Sequence, residues 1–442
     1  MREGKSATYT VVSQKPTRRY ELDWLRTLVV MGLIPVHTAI IFAPTTDFYI
    51  KDAHTSEAAV VFGAFVGVFG MPVLFFVAGA AAWFALKSRS SGRFARERIL
   101  RLFVPLIFAS LAISPIQAYV VTLSNPSFAA AIGAPIVDPH YLDSFPQFYV
   151  QYLRDYVYFL GHPSIAGFLA FVGQLWFVLY LLVFSLLALP LFEYLKSSRG
   201  SQVVKRLAAF CDQPMAIFAL AAPLALVDGV AHALWTGTGA VAEILVYLVC
   251  FVYGYMMYAD DRIVAAMRRQ WAPAIAAGLG LWLIAEIWLI QRPPQPYDNA
   301  MGSMFFIPLR GVIAWFWVVG LIGAFSLYVN RTSRLLRYLS EAAYPIYILH
   351  VAAIVSVGYV VVRWDISPLA KFGVIMIAAY VIVIGTYEAL IKRVRVLRTL
   401  FGLRNEPQPH ARTPSRRRWW LASPDRGATS HVTSWRLSNL AP

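Results

Sequence analysis

The sequence predicts an all-α polytopic membrane protein, a bundle of about ten transmembrane helices with both termini in the cytoplasm. Three observations lead there. Of 442 residues, 59% are hydrophobic and only 14% charged, and the mean hydropathy is +0.59. Apolar runs near twenty residues recur from end to end, and a helix of that length crosses a bilayer core of about 30 Å. The segments between runs alternate in charge: 33 Lys and Arg fall on one side and 5 on the other, with Arg310 inside a run. The positive-inside rule puts the richer side in the cytoplasm, which explains the net charge of +16 better than a nucleic-acid partner does.

Ten spans follow in order: 22–42, 58–86, 99–121, 172–195, 214–234, 239–258, 272–291, 303–328, 342–362 and 369–391. The first lies within RYELDWLRTLVVMGLIPVHTAIIF, Arg19 to Phe42. Arg26 and His37 are separated by ten residues there. At about 100° per residue they fall within roughly 20° of one helix face and about 16 Å apart along the axis. Arg26 also serves as an ordinary cytoplasmic flank. A titratable ring inside a span is costly and points to a cavity or a partner. Pro35 cannot donate its backbone hydrogen bond, so a kink is expected just before His37. The run is too long, and lacks a small-residue cleavage site, for a signal peptide.

Between the second and third spans, KSRSSGRFARERILRLFVP places Arg98 and Arg101 three apart on one helix face. Paired guanidinium groups suit phosphate oxygens, although the cluster is also an orientation signal. The outer segment 122–171 carries eight aromatics from Tyr141 to Phe159. Such rings can stack on sugars or form an interfacial helix in the aromatic belt. Gln174 and Trp176 open the fourth span. In SEAAYPIYILH, Tyr347 and His350 sit one helical turn apart. Asp228 and His232, at i and i+4, are too few ligands for a metal site, and Cys211 and Cys250 give neither a disulfide framework nor metal spacing. The spans hold few acids, among them Glu243, Glu286 and Glu388. The tail from Leu403 is rich in Pro, Arg and Ser, and is expected to be disordered near anionic headgroups. The domain plan is thus a basic segment 1–18, a membrane domain 19–402 and a tail 403–442.

These pieces together resemble the membrane-bound acyltransferase-3 family. Its basic residue and histidine in the first span match Arg26 and His37, its R-x-x-R matches Arg98 and Arg101, and its tyrosine–histidine ending matches Tyr347 and His350. Within the family the chain is similar to the glucan biosynthesis protein C branch, through ELDWLR (which includes Asp23), GMPVLFFVAGAAAWFAL, RERILRLFVPLIF, LWFVLYLLVFSLLALP and YPIYILH. It departs from that branch at Gln174, where histidine is frequent, and it lacks the glutamate that O-antigen-modifying members carry after the fourth-span Trp. The resemblance implies transfer of an acetyl or succinyl group from cytoplasmic acyl-CoA, a co-substrate rather than a bound cofactor, to a carbohydrate hydroxyl on the outer side of an inner (plasma) membrane. His37 would be catalytic, Arg26, Arg98 and Arg101 would hold the donor, and Asp23, Gln174, Trp176, Tyr347 and His350 would line the site. No metal is implied. A transporter or flippase for a polar lipid or sugar is the competing class.

Overall fold

The computed structural model describes residues 18–44, 48–131, 144–162, 171–234, 240–291 and 300–403, with backbone alone for 131, 240, 288–291 and 300–307. The basic N-terminal segment (apart from Arg18), the tail beyond Leu403, and Tyr141 of the aromatic segment lie outside the described residues. Every regular element among those described is helical.

Helix α1 (Tyr20–Ile40) leads through a short loop to α2 (Glu57–Ser88). Next come α3 (Ser91–Arg98), one π-helical turn (Ile99–Phe103), α4 (Val104–Ala112), α5 (Ser114–Ser124), α6 (Pro126–Ala131) and α7 (Phe145–Gly161). A 3-10 turn at Gly173–Leu175 opens α8 (Trp176–Leu187), followed by α9 (Leu189–Lys196) and α10 (Ser198–Cys211). A second 3-10 turn at Ala216–Leu220 opens α11 (Ala221–Leu234), and then come α12 (Ala240–Met257), α13 (Asp261–Arg269), α14 (Trp271–Gln291) and α15 (Ala300–Tyr328). The described chain ends with α16 (Arg334–Val361), α17 (Pro368–Thr386), a π-helical turn (Tyr387–Ile391) and α18 (Arg395–Leu400).

Among the described residues, six stretches are long and apolar enough to cross a membrane, or up to eight if each of two bent pairs is one span. The pair α8 and α9 bends by 44°, where Pro190 removes a backbone donor, and the pair α12 and α13 by 110°. Of the ten runs read from the sequence, two fall outside this set. Helix α1 carries Glu21, Asp23, Arg26 and His37, and the described apolar stretch of α14 is only Trp271–Ile287.

The centre of the bundle is α16 and the latter part of α15, with 67% and 61% of an apolar window buried, against 28% for α17. Helix α17 instead turns Ile377 and Val381 outward, as α11 does Leu226 and Leu234. Contiguous apolar surface of that kind suits lipid rather than water. Helix α1 lies beside α16 in the same direction: Thr27 Oγ1 is 3.2 Å from Ser340 Oγ, and ten residues further along each helix His37 faces His350. Helices α2 and α12 also run in the same direction, Phe75 against Tyr247 and Trp83 against Tyr255. They touch backbone to backbone. A Cβ on Gly79 would stand 1.8 Å from the Phe251 carbonyl oxygen, and one on Gly254 1.9 Å from that of Phe76. Small residues permit this approach, which is how membrane helices gain packing energy when water does not drive them together.

Candidate active site

Helix α1 runs unbroken through Pro35. Proline has no N–H for the Met31 carbonyl, and that carbonyl accepts from the Tyr380 hydroxyl of α17 at 2.7 Å. One turn further on, His37 Nδ1 lies 2.8 Å from the Leu33 carbonyl oxygen. A carbonyl can only accept, so Nδ1 carries the hydrogen in the neutral ring and Nε2 keeps its lone pair. His350 repeats the arrangement, with Nδ1 2.6 Å from the Tyr347 carbonyl. Its Nε2 is buried and has no hydrogen-bond partner among the described residues. The two rings meet edge to face, their centroids 4.9 Å apart. Two imidazole lone pairs therefore lie inside the bundle, at the contact of α1 and α16.

The surroundings of the pair come from distant parts of the chain. Phe48, in the loop after α1, places its ring 6.0 Å from that of His37. Asn125 Nδ2 holds the Phe48 carbonyl at 2.9 Å, and Lys371 Nζ ties Asp52 of the same loop to α17 at 2.7 Å. Burial works against the Asp52 charge, but the hydrogen bond from Lys371 and that from the His54 amide outweigh it and hold the carboxyl below its ordinary range. On the other side, the Tyr347 hydroxyl donates to the Gln174 carbonyl at 2.8 Å, and Gln174 Nε2 donates to the Ile348 carbonyl at 3.3 Å. Gly173 makes that turn possible with φ at +48°. Gln174 Oε1 and the Tyr344 hydroxyl are, like His350 Nε2, buried without a described partner. Ser340, Tyr344, Tyr347 and His350 follow one another at three- or four-residue steps on α16. They form a polar stripe beside α1 inside an apolar bundle, and buried polar atoms without partners call for a functional explanation.

At the other end of that stripe, Arg26 Nη2 is 3.4 Å from both Asp23 Oδ1 and the Ser340 carbonyl, while Arg18 Nε donates to Asp23 Oδ2 at 2.9 Å. The basic turn lies nearby: Gly402, with φ at +68°, sits where a Cβ would be 2.9 Å from the Arg101 carbonyl and 2.7 Å from the Tyr344 ring. Arg98 lies over the Phe94 ring, 4.9 Å from its centroid. Glu97 accepts from Arg89 at 2.5 Å and from Arg93 at 3.1 Å. The turn from Ile99 to Phe103 is π-helical, so Arg101 does not follow Arg98 with ordinary α spacing.

His37, Gln174, Tyr347 and His350 are thus brought together, and Arg26 and Asp23 lie at the far end of the same helix pair. Trp176 goes elsewhere: its ring stacks on Tyr247 of α12 at 5.9 Å. The aromatic segment is mostly engaged in packing, with Phe148 and Tyr152 buried against Tyr119 and Phe171 and the Tyr152 hydroxyl donating to the Ser110 carbonyl. Sequence reasoning missed Thr27, Ser340 and Tyr344, although the i, i+3, i+4 steps around YPIYILH were a signal for the last two. It also missed an ion network. Arg310 of α15 makes a forked pair with Asp228 of α11, at 2.8 and 3.3 Å, and binds Glu243 of α12, while His232 Nδ1 stays 3.8 Å from Asp228.

Comparison with protein families gives a match over most of the chain. The model for the acyltransferase-3 family, described as an acyltransferase domain, covers residues 19–388. No curated protein and no solved structure matches.

Proposed function

The chain belongs to the acyltransferase-3 family, and we propose that it is a multi-pass membrane O-acyltransferase that moves an acetyl or succinyl group from cytoplasmic acyl-CoA to a carbohydrate hydroxyl on the outer side of the inner membrane. The observation that supports this reading best is the His37–His350 pair, two rings with Nε2 lone pairs set inside the bundle. Neutral imidazole is a competent base near neutral pH. His37 Nε2 takes the proton of the acceptor hydroxyl as its oxygen attacks the thioester carbonyl. The new C–O bond forms, the tetrahedral oxyanion collapses, the C–S bond breaks, and the proton passes to the departing CoA sulfur. Attack on the thioester by Nε2 itself is the second route open to the same lone pair. His350, edge-on to His37, supplies a second acceptor for the substrate hydroxyl.

The donor's phosphates fall to Arg98 and Arg101, with Arg26 below, and its arm runs along the stripe from Ser340 to His350. About 16 Å of helix rise separates Arg26 from His37. His37 is seventeen residues into α1, about 26 Å from its start, and His350 is sixteen into α16, about 24 Å. With the basic ends in the cytoplasm, both rings lie in the outer half, within reach of an acceptor from outside.

Purified protein, labelled acyl-CoA and a panel of oligosaccharides provide the test. Wild type should transfer label and His37→Ala should lose transfer by at least about a hundredfold, the usual scale for a general base, while its melting profile in detergent is kept. Near-normal turnover in His37→Ala removes the mechanism. Transport of a polar lipid or sugar has one observation in its favour, the Arg310–Asp228–Glu243 network. Substrate flux in proteoliposomes without acyl transfer would establish that reading instead.

A further inference from the structure

A cavity of about 490 Å³ lies among α2, α12, α14 and α15. That is the size of a small-ligand site. Glu243, Glu286 and Arg310 line it together with Tyr247 and Trp282. Arg310 is already fixed by Asp228, whose side chain has no exposure, and by Glu243, which stays 44% exposed and so keeps acceptor capacity for a ligand. Glu286 has no hydrogen bond or ion pair with any described residue. The wall adds a backbone acceptor: Val68 and Pro72 both line the cavity, and proline leaves the Val68 carbonyl without its i+4 donor.

The cavity is joined to the histidine pair by a continuous run of rings. Tyr247 stacks on Phe75 at 5.1 Å, Phe75 meets Phe177 at 4.8 Å, Phe177 meets Tyr347 at 5.6 Å, and Tyr347 meets His350 at 5.7 Å. Glu243 is at the start of α12 and Glu286 near the end of α14, the ends that the charge pattern turns outward. Cavity and histidine pair thus share one half of the bundle.

We infer that this cavity binds uncharged sugar units of a multi-residue acceptor, distal to the hydroxyl presented to His37; the inference rests on the carbohydrate-acceptor reading above. Glu243 and Glu286 in its lining, with Asp228 behind Arg310, set three carboxylates against one guanidinium, so the site disfavours the anionic donor. Carboxylate oxygens accept pairs of hydroxyl hydrogens, Arg310 donates, and aromatic surface covers the apolar sugar faces. A small cation would meet Arg310 at close range and leave most of the volume unused. As a purely structural ion pair, the network would need neither the cavity nor Glu286, which pairs with no described residue.

The test compares acceptor length. Glucose and linear glucose hexasaccharides of several linkages are offered to the full-length protein in nanodiscs, as wild type, Glu286→Gln and Glu243→Gln. For Glu286→Gln the KM of the hexasaccharide that wild type uses best should rise about tenfold relative to that of glucose, the loss of one charge-assisted hydrogen bond. This substitution breaks no described contact, so it keeps the question open to decision even if Glu243→Gln misfolds. An unchanged KM ratio in Glu286→Gln overturns the proposal, as does a wild type that favours glucose over every hexasaccharide. Calorimetric titration of the hexasaccharides without donor separates the two readings. Binding by wild type that weakens in Glu286→Gln supports the cavity even if no transfer is ever seen, and no binding to wild type removes it. Spermidine binding that depends on Glu286, with no saccharide binding, assigns the cavity to a cation and overturns the proposal.

Discussion

At the scale of single residues, the arginines are distinguished by what already occupies them. Glu97 is taken by Arg89 and Arg93, whereas Arg98 rests on the Phe94 ring beside Arg101. If Arg98 and Arg101 hold donor phosphates, alanine at either position should weaken CoA binding about tenfold or more, and lysine should restore only part, since it lacks the planar fork. Calorimetry with CoA reads this directly, and unchanged affinity across the set would leave the cluster as a topology signal alone. The histidines and Tyr347 were legible in the sequence because a polar ring in an apolar run stands out against its neighbours. Trp176 was named but joins Tyr247, since a motif fixes an order along the chain and not a direction in space. Arg310 was visible as a charge inside a run, yet its partners Asp228 and Glu243 are 82 and 67 residues away, a pairing no local pattern encodes.

At the scale of helices, the α2–α12 contact carries the sharpest expectation. Gly79→Ala drives a methyl group into the Phe251 carbonyl, and overpacking of this kind costs about 1–3 kcal/mol. The melting temperature in detergent should fall for Gly79→Ala and Gly254→Ala. It should hold for Gly63→Ala, where a Cβ meets nothing within 4 Å. Equal melting in all three would mean that the helices can separate at no cost. Each of the ten apolar runs corresponds to helix, because run length and hydropathy are properties of the sequence itself. The bends at α8–α9 and α12–α13 were not foreseen. Pro190 marks the first of these only once the flanking helices are known, and the second turns on Asp260, which caps α13 by accepting from the Arg262 amide.

For the whole molecule, the asymmetry of 33 against 5 basic residues is a statement about sides. By the positive-inside rule it predicts the turn at Ser90 inside the cell and α7 outside. Both native cysteines are buried, so background labelling should be small. A membrane-impermeant thiol reagent on intact cells should label Val150→Cys, on the exposed face of α7, and spare Ser90→Cys until the membrane is opened. The reverse pattern would place the basic turn away from cytosolic acyl-CoA, and the proposed donor path would fall with it.

The side-by-side register of α1 and α16 has a consequence for biogenesis. Helix α1 holds Asp23, Arg26 and His37, and the helix that meets Arg26 and His37 is made some three hundred residues later. At about 5–20 residues per second, that is a wait of roughly 15–60 s. Through that interval α1 carries ionisable groups that hydrocarbon tolerates poorly, and it lacks the uninterrupted apolar length of its successors. The nascent helix therefore needs shelter, from insertion machinery or from α2, until α16 arrives. The two rings that would do the chemistry meet only when nearly the whole bundle exists, so a partly made chain has no assembled site.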